Sequence, residues 1–172
     1  RVLIVDWDVH HGNGTQDTFY SDPTVFFLSL HQWPHYPGSG AENETGEGPG
    51  VGTTLNVPLP AGTSPDVYLE HFEAAIYTAL ERFQPDFVLI SAGFDCMAGD
   101  PLGEFLLEPE HLHRMTRFIM DRAAATCGGR VVALLEGGYD PSRLGHGTVA
   151  VIRALASLEG PVSVSDGTRV AP

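Results

Sequence analysis

Hydrophobic residues collect in short, nearly continuous blocks along this chain. VLIV at 2–5, TVFFLSL at 24–30, DFVLISA at 86–92 and RVVALL at 130–135 are apolar at successive positions rather than at alternate ones. A strand with one wet face alternates and a strand covered on both faces does not, so these blocks predict a parallel sheet sandwiched between helices. TTLNV at 53–57 is a weaker fifth. Between the blocks the period lengthens to that of a helix. Leu69, Phe72, Ile76, Ala79, Leu80 and Phe83 form one stripe, with Pro65 at the first helical position and Ser64 placed as its N-cap. Leu112, Met115, Ile119 and Ala123 repeat in the same way from Pro109 to the Gly128-Gly129 stop, and a third helical pattern runs from about Pro141 to Leu158. Strands alternating with helices predict a doubly wound α/β fold, a three-layer α-β-α arrangement around a parallel sheet. From Gln32 to Gly52 the chain turns rich in Gly, Pro and Glu, longer than a plain connector needs. Residues 1–158 read as core and 159–172, without periodicity, as an irregular tail.

Composition narrows the function classes. The 172 residues are 42% hydrophobic, enough for one domain's core. Nine basic residues against 22 acidic ones give a formal charge of −13, which repels phosphate backbones and anionic lipids and favours cationic partners such as lysine-bearing peptides. Neither direct nucleic-acid binding nor membrane association is expected, and no apolar run approaches the ~20 residues of a span. Cys96 and Cys127 are too few for a disulfide framework. The expectation is an intracellular protein, cytoplasmic if bacterial and nuclear or cytoplasmic if eukaryotic. Arg1 is followed at once by VLIV, with no initiator Met and no cap, so the chain is expected to be the second half of a larger domain.

In such a sheet, ligands bind where strands end. After the first block come Asp6, Asp8, His10 and His11; after the second, His31; after DFVLISA, Asp95; after RVVALL, Gly137, Gly138 and Tyr139. Asp8 and His10 are two residues apart, which in an extended segment puts both side chains on one face, and Asp95 completes a third position. Two carboxylates and an imidazole suit Zn²⁺ or another borderline divalent ion, with coordination left open for catalysis. Taken alone, an Asp-x-His is more often a turn cap than a ligand pair, but matching residues at other strand ends shift the balance. Tyr139, on its Gly-Gly turn, is placed to donate its hydroxyl to a developing oxyanion. His71, His111 and His113 read as solvated helix residues, His35 and His146 have no evident partners, and Cys96 reads as a packed residue rather than a nucleophile.

VDWDVHHGNGTQ, FFLSLHQ with YPGSG, LISAGFDCMAGDPLG and LLEGGYD, in that order, resemble the zinc-dependent histone deacetylases, in particular the class II and bacterial acetoin-utilisation-like branch of the arginase/deacetylase fold. The resemblance implies a zinc-dependent hydrolase of the acetyl amide of N-acetyl-lysine in proteins, or of a related acetylated amine. It implies zinc ligands at Asp8, His10 and Asp95, and in Tyr139 the group that polarises the acetyl carbonyl. It implies a structural potassium site at Asp6, Asp8, His10, Ser29 and Leu30, and part of a second monovalent-cation site at Phe19, Asp22 and Val25. Tyr36, Leu102 and Gly138 match substrate-facing positions, and Asn13 stands where class I relatives carry Asp. The family's tandem histidine pair, which serves as general base, has no counterpart in residues 1–172, so the isolated stretch is expected to be inactive. The alternative is a non-catalytic acetyl-lysine-binding or scaffold member, and a second metal of the arginase kind lacks carboxylates.

Overall fold

The computed structural model describes residues 1–161, so most of the 159–172 tail lies outside the described residues. Five strands, β1 (Val2–Asp6), β2 (Val25–Gln32), β3 (Thr54–Leu59), β4 (Phe87–Ala92) and β5 (Val131–Leu135), form one parallel sheet in the order β3-β2-β1-β4-β5. The chain steps outward from β1 through β2 to β3, then returns to pair β4 with the other edge of β1. Adjacent strands whose connections leave in opposite directions open a crevice at their carboxyl ends. β1 and β4 are that pair.

Helix α1 (Asn13–Phe19) follows β1, α2 (Pro65–Arg82) follows β3, α3 (Pro109–Cys127) follows β4 and α4 (Pro141–Leu155) follows β5. Because strand side chains alternate between faces, Leu3, Val5, Phe26, Leu28 and Ile90 join Phe72, Ile76, Met115 and Ile119 of α2 and α3 in the main core. Ile4, Val25 and Phe27 point the other way and pack with Phe19 of α1. Helices therefore lie on both faces, as the continuous apolar blocks require.

The helix ends show which local signals held. Gly128 takes a left-handed φ of 64° and stops α3. Ser64 precedes α2 in extended conformation but its side chain makes no capping hydrogen bond. Helix α4 ends at Leu155 rather than Leu158, and its start is capped by Asp140, which accepts from the amides of Ser142 and Arg143. α1 carries no apolar stripe: in NGTQDTF only Phe19 is a large hydrophobe, and the buried member is Gln16. It is held by polar contacts, which periodicity does not reveal. Among the described residues, no helix is long and apolar enough to cross a membrane.

Two histidines expected to be merely solvated have structural work. The His111 ring accepts the Glu108 amide and completes the capping box of α3, and the His113 ring bonds the Leu158 carbonyl at 2.9 Å.

Candidate active site

β1 ends at Asp6, and Asp8 and His10 lie beyond it in a turn rather than on one face of a strand. The Asp8 carboxylate accepts the backbone N–H of His10 at 2.8 Å, closing an Asx turn that folds the two side chains together. β4 then brings Asp95 alongside. His10 Nδ1 lies 3.0 Å from Asp8 Oδ1 and 3.2 Å from Asp95 Oδ2, and one ligand atom from each residue falls within 4.8 Å of the others. Asp95 is fully buried: its Oδ1 accepts the Val9 amide at 2.8 Å, while Oδ2 faces only the His10 ring at 3.2 Å, without a well-aligned hydrogen bond among the described residues. A buried carboxylate oxygen without a donor is costly unless a cation faces it.

The electrostatics point the same way. Burial opposes ionisation of Asp8, but hydrogen bonds from the His10 ring, the His10 amide and the Gly137 amide hold its carboxyl below the ordinary range. Burial, with Asp8 beside it, raises Asp95. The hydrogen bond to Asp8, with the Asp95 carboxylate 3.2 Å away, pushes His10 up to about 10. Two carboxylates in a half-buried pocket thus recruit a proton onto the imidazole. A divalent cation satisfies the same demand for positive charge and displaces that proton on binding. Oxygen and nitrogen donors in this set fit zinc.

The cluster opens into a cleft of about 980 Å³, bordered by His35, Tyr36, Leu102, Gly138 and Tyr139. The Tyr139 ring stands edge-on to His10 with centroids 6.2 Å apart and is 50% exposed. Gly137 donates its amide to Asp8 Oδ2 at 2.8 Å, and a Cβ there would collide with the carboxylate of Asp95. Tyr36 is 76% exposed and Leu102 49%, both on the cleft rim. His35, without an evident partner in the sequence, bonds the Leu102 carbonyl at 3.0 Å and stacks on His10 at 5.1 Å.

The second strand-end histidine is elsewhere. His31 still belongs to β2, is fully buried and donates through Nε2 to the Gly40 carbonyl at 2.9 Å, so it is no part of the rim. Ser29, beside it, gives its hydroxyl to His31 Nδ1 at 3.0 Å and is the cross-strand partner of Asp6. Asp6 and Leu30 are buried, and burial, with Asp8 nearby, raises the Asp6 carboxyl well above its usual range. Phe19 ends α1, and the turn behind it, closed by Asp22 N–H to Phe19 O at 3.0 Å, leads into Val25. Cys96 is buried beside Asp95, as a packed residue should be. Asp100 escaped the sequence reading, although its carboxylate binds the amides of both Leu102 and Tyr139. The only hint was its place just before Pro101 and Leu102 in the motif LISAGFDCMAGDPLG.

Fold and cluster together describe a parallel α/β protein with a candidate metal centre at the carboxyl edge of its sheet. The family model described as "Histone deacetylase domain" matches residues 1–155. The chain is 46% identical over 154 residues to "Histone deacetylase 10, chloroplastic" of Oryza sativa subsp. japonica, covering 90% of this chain and 35% of that protein. It is 41% identical over 160 residues to a "Probable deacetylase" of Archaeoglobus fulgidus, covering 92% and 45%. The solved structure of the histone deacetylase Clr3 superposes with a TM-score of 0.87 at 40% identity, over 94% of this chain and 28% of that one. The chain belongs to the histone deacetylase family, and it spans less than half the length of these relatives.

Proposed function

We propose that the protein containing these residues is a zinc-dependent deacetylase, hydrolysing the acetyl amide of N-acetyl-lysine in proteins or of a related acetylated amine. The observation that carries the reading is the convergence of Asp8, His10 and the buried Asp95 carboxylate at the floor of a cleft edged by the Tyr139 ring. Asp8, His10 and Asp95 would hold the zinc, which when bound acts as a Lewis acid toward the acetyl carbonyl. Tyr36 and Leu102 flank the acyl chain, Gly138 lets it approach closely, and the Tyr139 hydroxyl donates to the oxygen that gains charge. Asp6 with Ser29, Leu30 and the backbone around Asp8 and His10 would hold potassium, and the turn of Phe19, Asp22 and Val25 a second monovalent ion. A buried carboxylate such as Asp6 supports the first of these.

The general base is the one role the cleft does not fill. His10 is engaged with carboxylates, His11 with Ser39 and Gln16, and His35 with the Leu102 carbonyl. We assign the base to the remainder of the protein, these residues forming the second half of the catalytic domain. β5 supports that arrangement: Val132, Leu134 and Leu135 are 43%, 51% and 58% exposed on an edge strand whose sequence is that of a covered one. The missing base equally favours a second reading, a non-catalytic acetyl-lysine-binding or scaffold protein. Asn13, at the start of α1, is the reason to place the protein in the class II branch, and an intracellular location goes with the reading. Deacetylation of an acetyl-lysine peptide by the full-length protein, abolished by chelation and restored by zinc, is the expected result. Peptide binding without turnover in the zinc-loaded protein would favour the second reading.

A further inference from the structure

We infer that Asp100 is a positioning residue: its carboxylate braces the loop after β4 to the loop after β5 and thereby sets where the Tyr139 ring stands. The inference rests on the reading of Tyr139 as the oxyanion donor. Asp100 is only 7% exposed, on the wall of the cleft. Its Oδ1 accepts the Leu102 amide at 2.8 Å and its Oδ2 the Tyr139 amide at 2.8 Å, so one side chain ties segments 39 residues apart. Both are hydrogen bonds to a carboxylate, the stronger kind.

Little else holds the tyrosine. Its ring is half exposed, and among the described residues no group bonds its hydroxyl. Gly138, just before it, has a φ of 143°, a backbone conformation that other residues rarely adopt, so the turn pivots on it. The segment is therefore pinned on either side of that pivot, by Asp8 at the Gly137 amide and by Asp100 at the Tyr139 amide. Asp8 fixes the chain relative to the metal cluster, and Asp100 fixes the direction in which the tyrosine leaves it. The same carboxylate places Leu102, whose carbonyl receives the His35 ring stacked on His10. Rim and oxyanion donor thus share one anchor.

Asp100→Asn preserves size but leaves one oxygen to accept where two were used, and turns an NH₂ toward one of the amides. In the full-length protein we expect kcat to fall about 10- to 100-fold, since misplacing a group by about 1 Å costs that much, with KM changed less than about threefold and zinc content intact. The deciding test is the double variant. If Asp100 works through the Tyr139 hydroxyl, Asp100→Asn adds no more than about twofold to the loss already caused by Tyr139→Phe. A full multiplicative loss in the Phe background, or normal kcat for Asp100→Asn alone, overturns the inference. Near-normal turnover in Tyr139→Phe alone instead removes the reading of the tyrosine itself. Should Asp100→Asn fail to fold, hydrogen exchange of the Tyr139 amide in the unaltered protein decides. Exchange slowed at least about 100-fold relative to a free peptide supports the brace, and unprotected exchange overturns it.

Discussion

His10 and His11 are neighbours in the chain and opposites in the fold. His10 turns into the cleft, where Asp8 and Asp95 hold its ring up to about 10 and its charge is shared with two carboxylates. His11 turns inward, 3% exposed, donating to Gln16 Oε1 at 3.0 Å and accepting from the Ser39 hydroxyl at 2.9 Å, and burial lowers its pKa. It packs against His31, 4.7 Å away, which burial likewise brings down to about 4. One environment demands positive charge and the other excludes it. The same side chain therefore suits a metal ligand at one position and a neutral brace at the next. The brace anchors the long loop after β2: Glu44 gathers the amides of Gly40 and Ala41 and the Gln16 side chain, in the loop that also carries Tyr36.

The largest effect should separate the two histidines. An Asp95→Ala, His10→Ala double variant of the full-length protein is expected to lose its equivalent of zinc, a contribution on the order of 10 kcal/mol for structural sites of this metal, along with all turnover. His11→Leu should keep the metal and instead lose about 1–3 kcal/mol of stability, because Gln16 and Ser39 each lose a partner in a largely buried polar network. Metal analysis and thermal unfolding of both variants check this, and loss of zinc from His11→Leu would erase the contrast.

Next in size is Tyr139→Phe, which keeps the ring beside His10 but removes the donor. Turnover should drop ~10²–10³-fold, about 3–4 kcal/mol, with inhibitor affinity nearly unchanged. Steady-state kinetics and inhibitor titration on the same preparations separate the two quantities.

A pH titration sharpens the neutral side of the comparison. His31 has a folded pKa of about 4, below the unfolded value near 6.5, so the unfolded chain binds the proton first. Its stabilising effect is complete above pH ~6.5 and is lost as pH falls, by up to ~3 kcal/mol once pH is below about 4. Denaturant melts from pH 7 to 4 should show that slope, and His31→Gln should flatten it.

The smallest effect is the charge of −13. Acetyl-lysine peptides with basic neighbours should react a few-fold faster than acidic ones at low salt, mainly through encounter rate, and the difference should fade near physiological ionic strength. Competition assays at two salt concentrations measure it.

Much of this was legible in the sequence. The apolar blocks located all five strands, most clearly β1 and β2, which are covered on both faces, and least clearly β3, which Asn56 interrupts. Gly128 and Pro109 marked the bounds of α3. The strand ends named Asp8, His10, Asp95 and Tyr139, since a parallel sheet presents its chemistry there. What stayed hidden depends on contacts between distant segments. α1 is held by Gln16 rather than by an apolar face. His31 looked like a rim residue because β2 runs two residues further than its apolar block. Asp100 acts on backbone amides, which leave no trace in residue type.

On the proposed function, Asp8, His10 and Asp95 form a zinc site in a deacetylase. Anomalous diffraction at the zinc edge from crystals of the full-length protein tests it most directly. A single strong zinc peak bounded by those three side chains, lost in the Asp95→Ala, His10→Ala variant, is the expected result. A protein that removes acetyl groups with no zinc between them, or with its zinc on other residues, would contradict it.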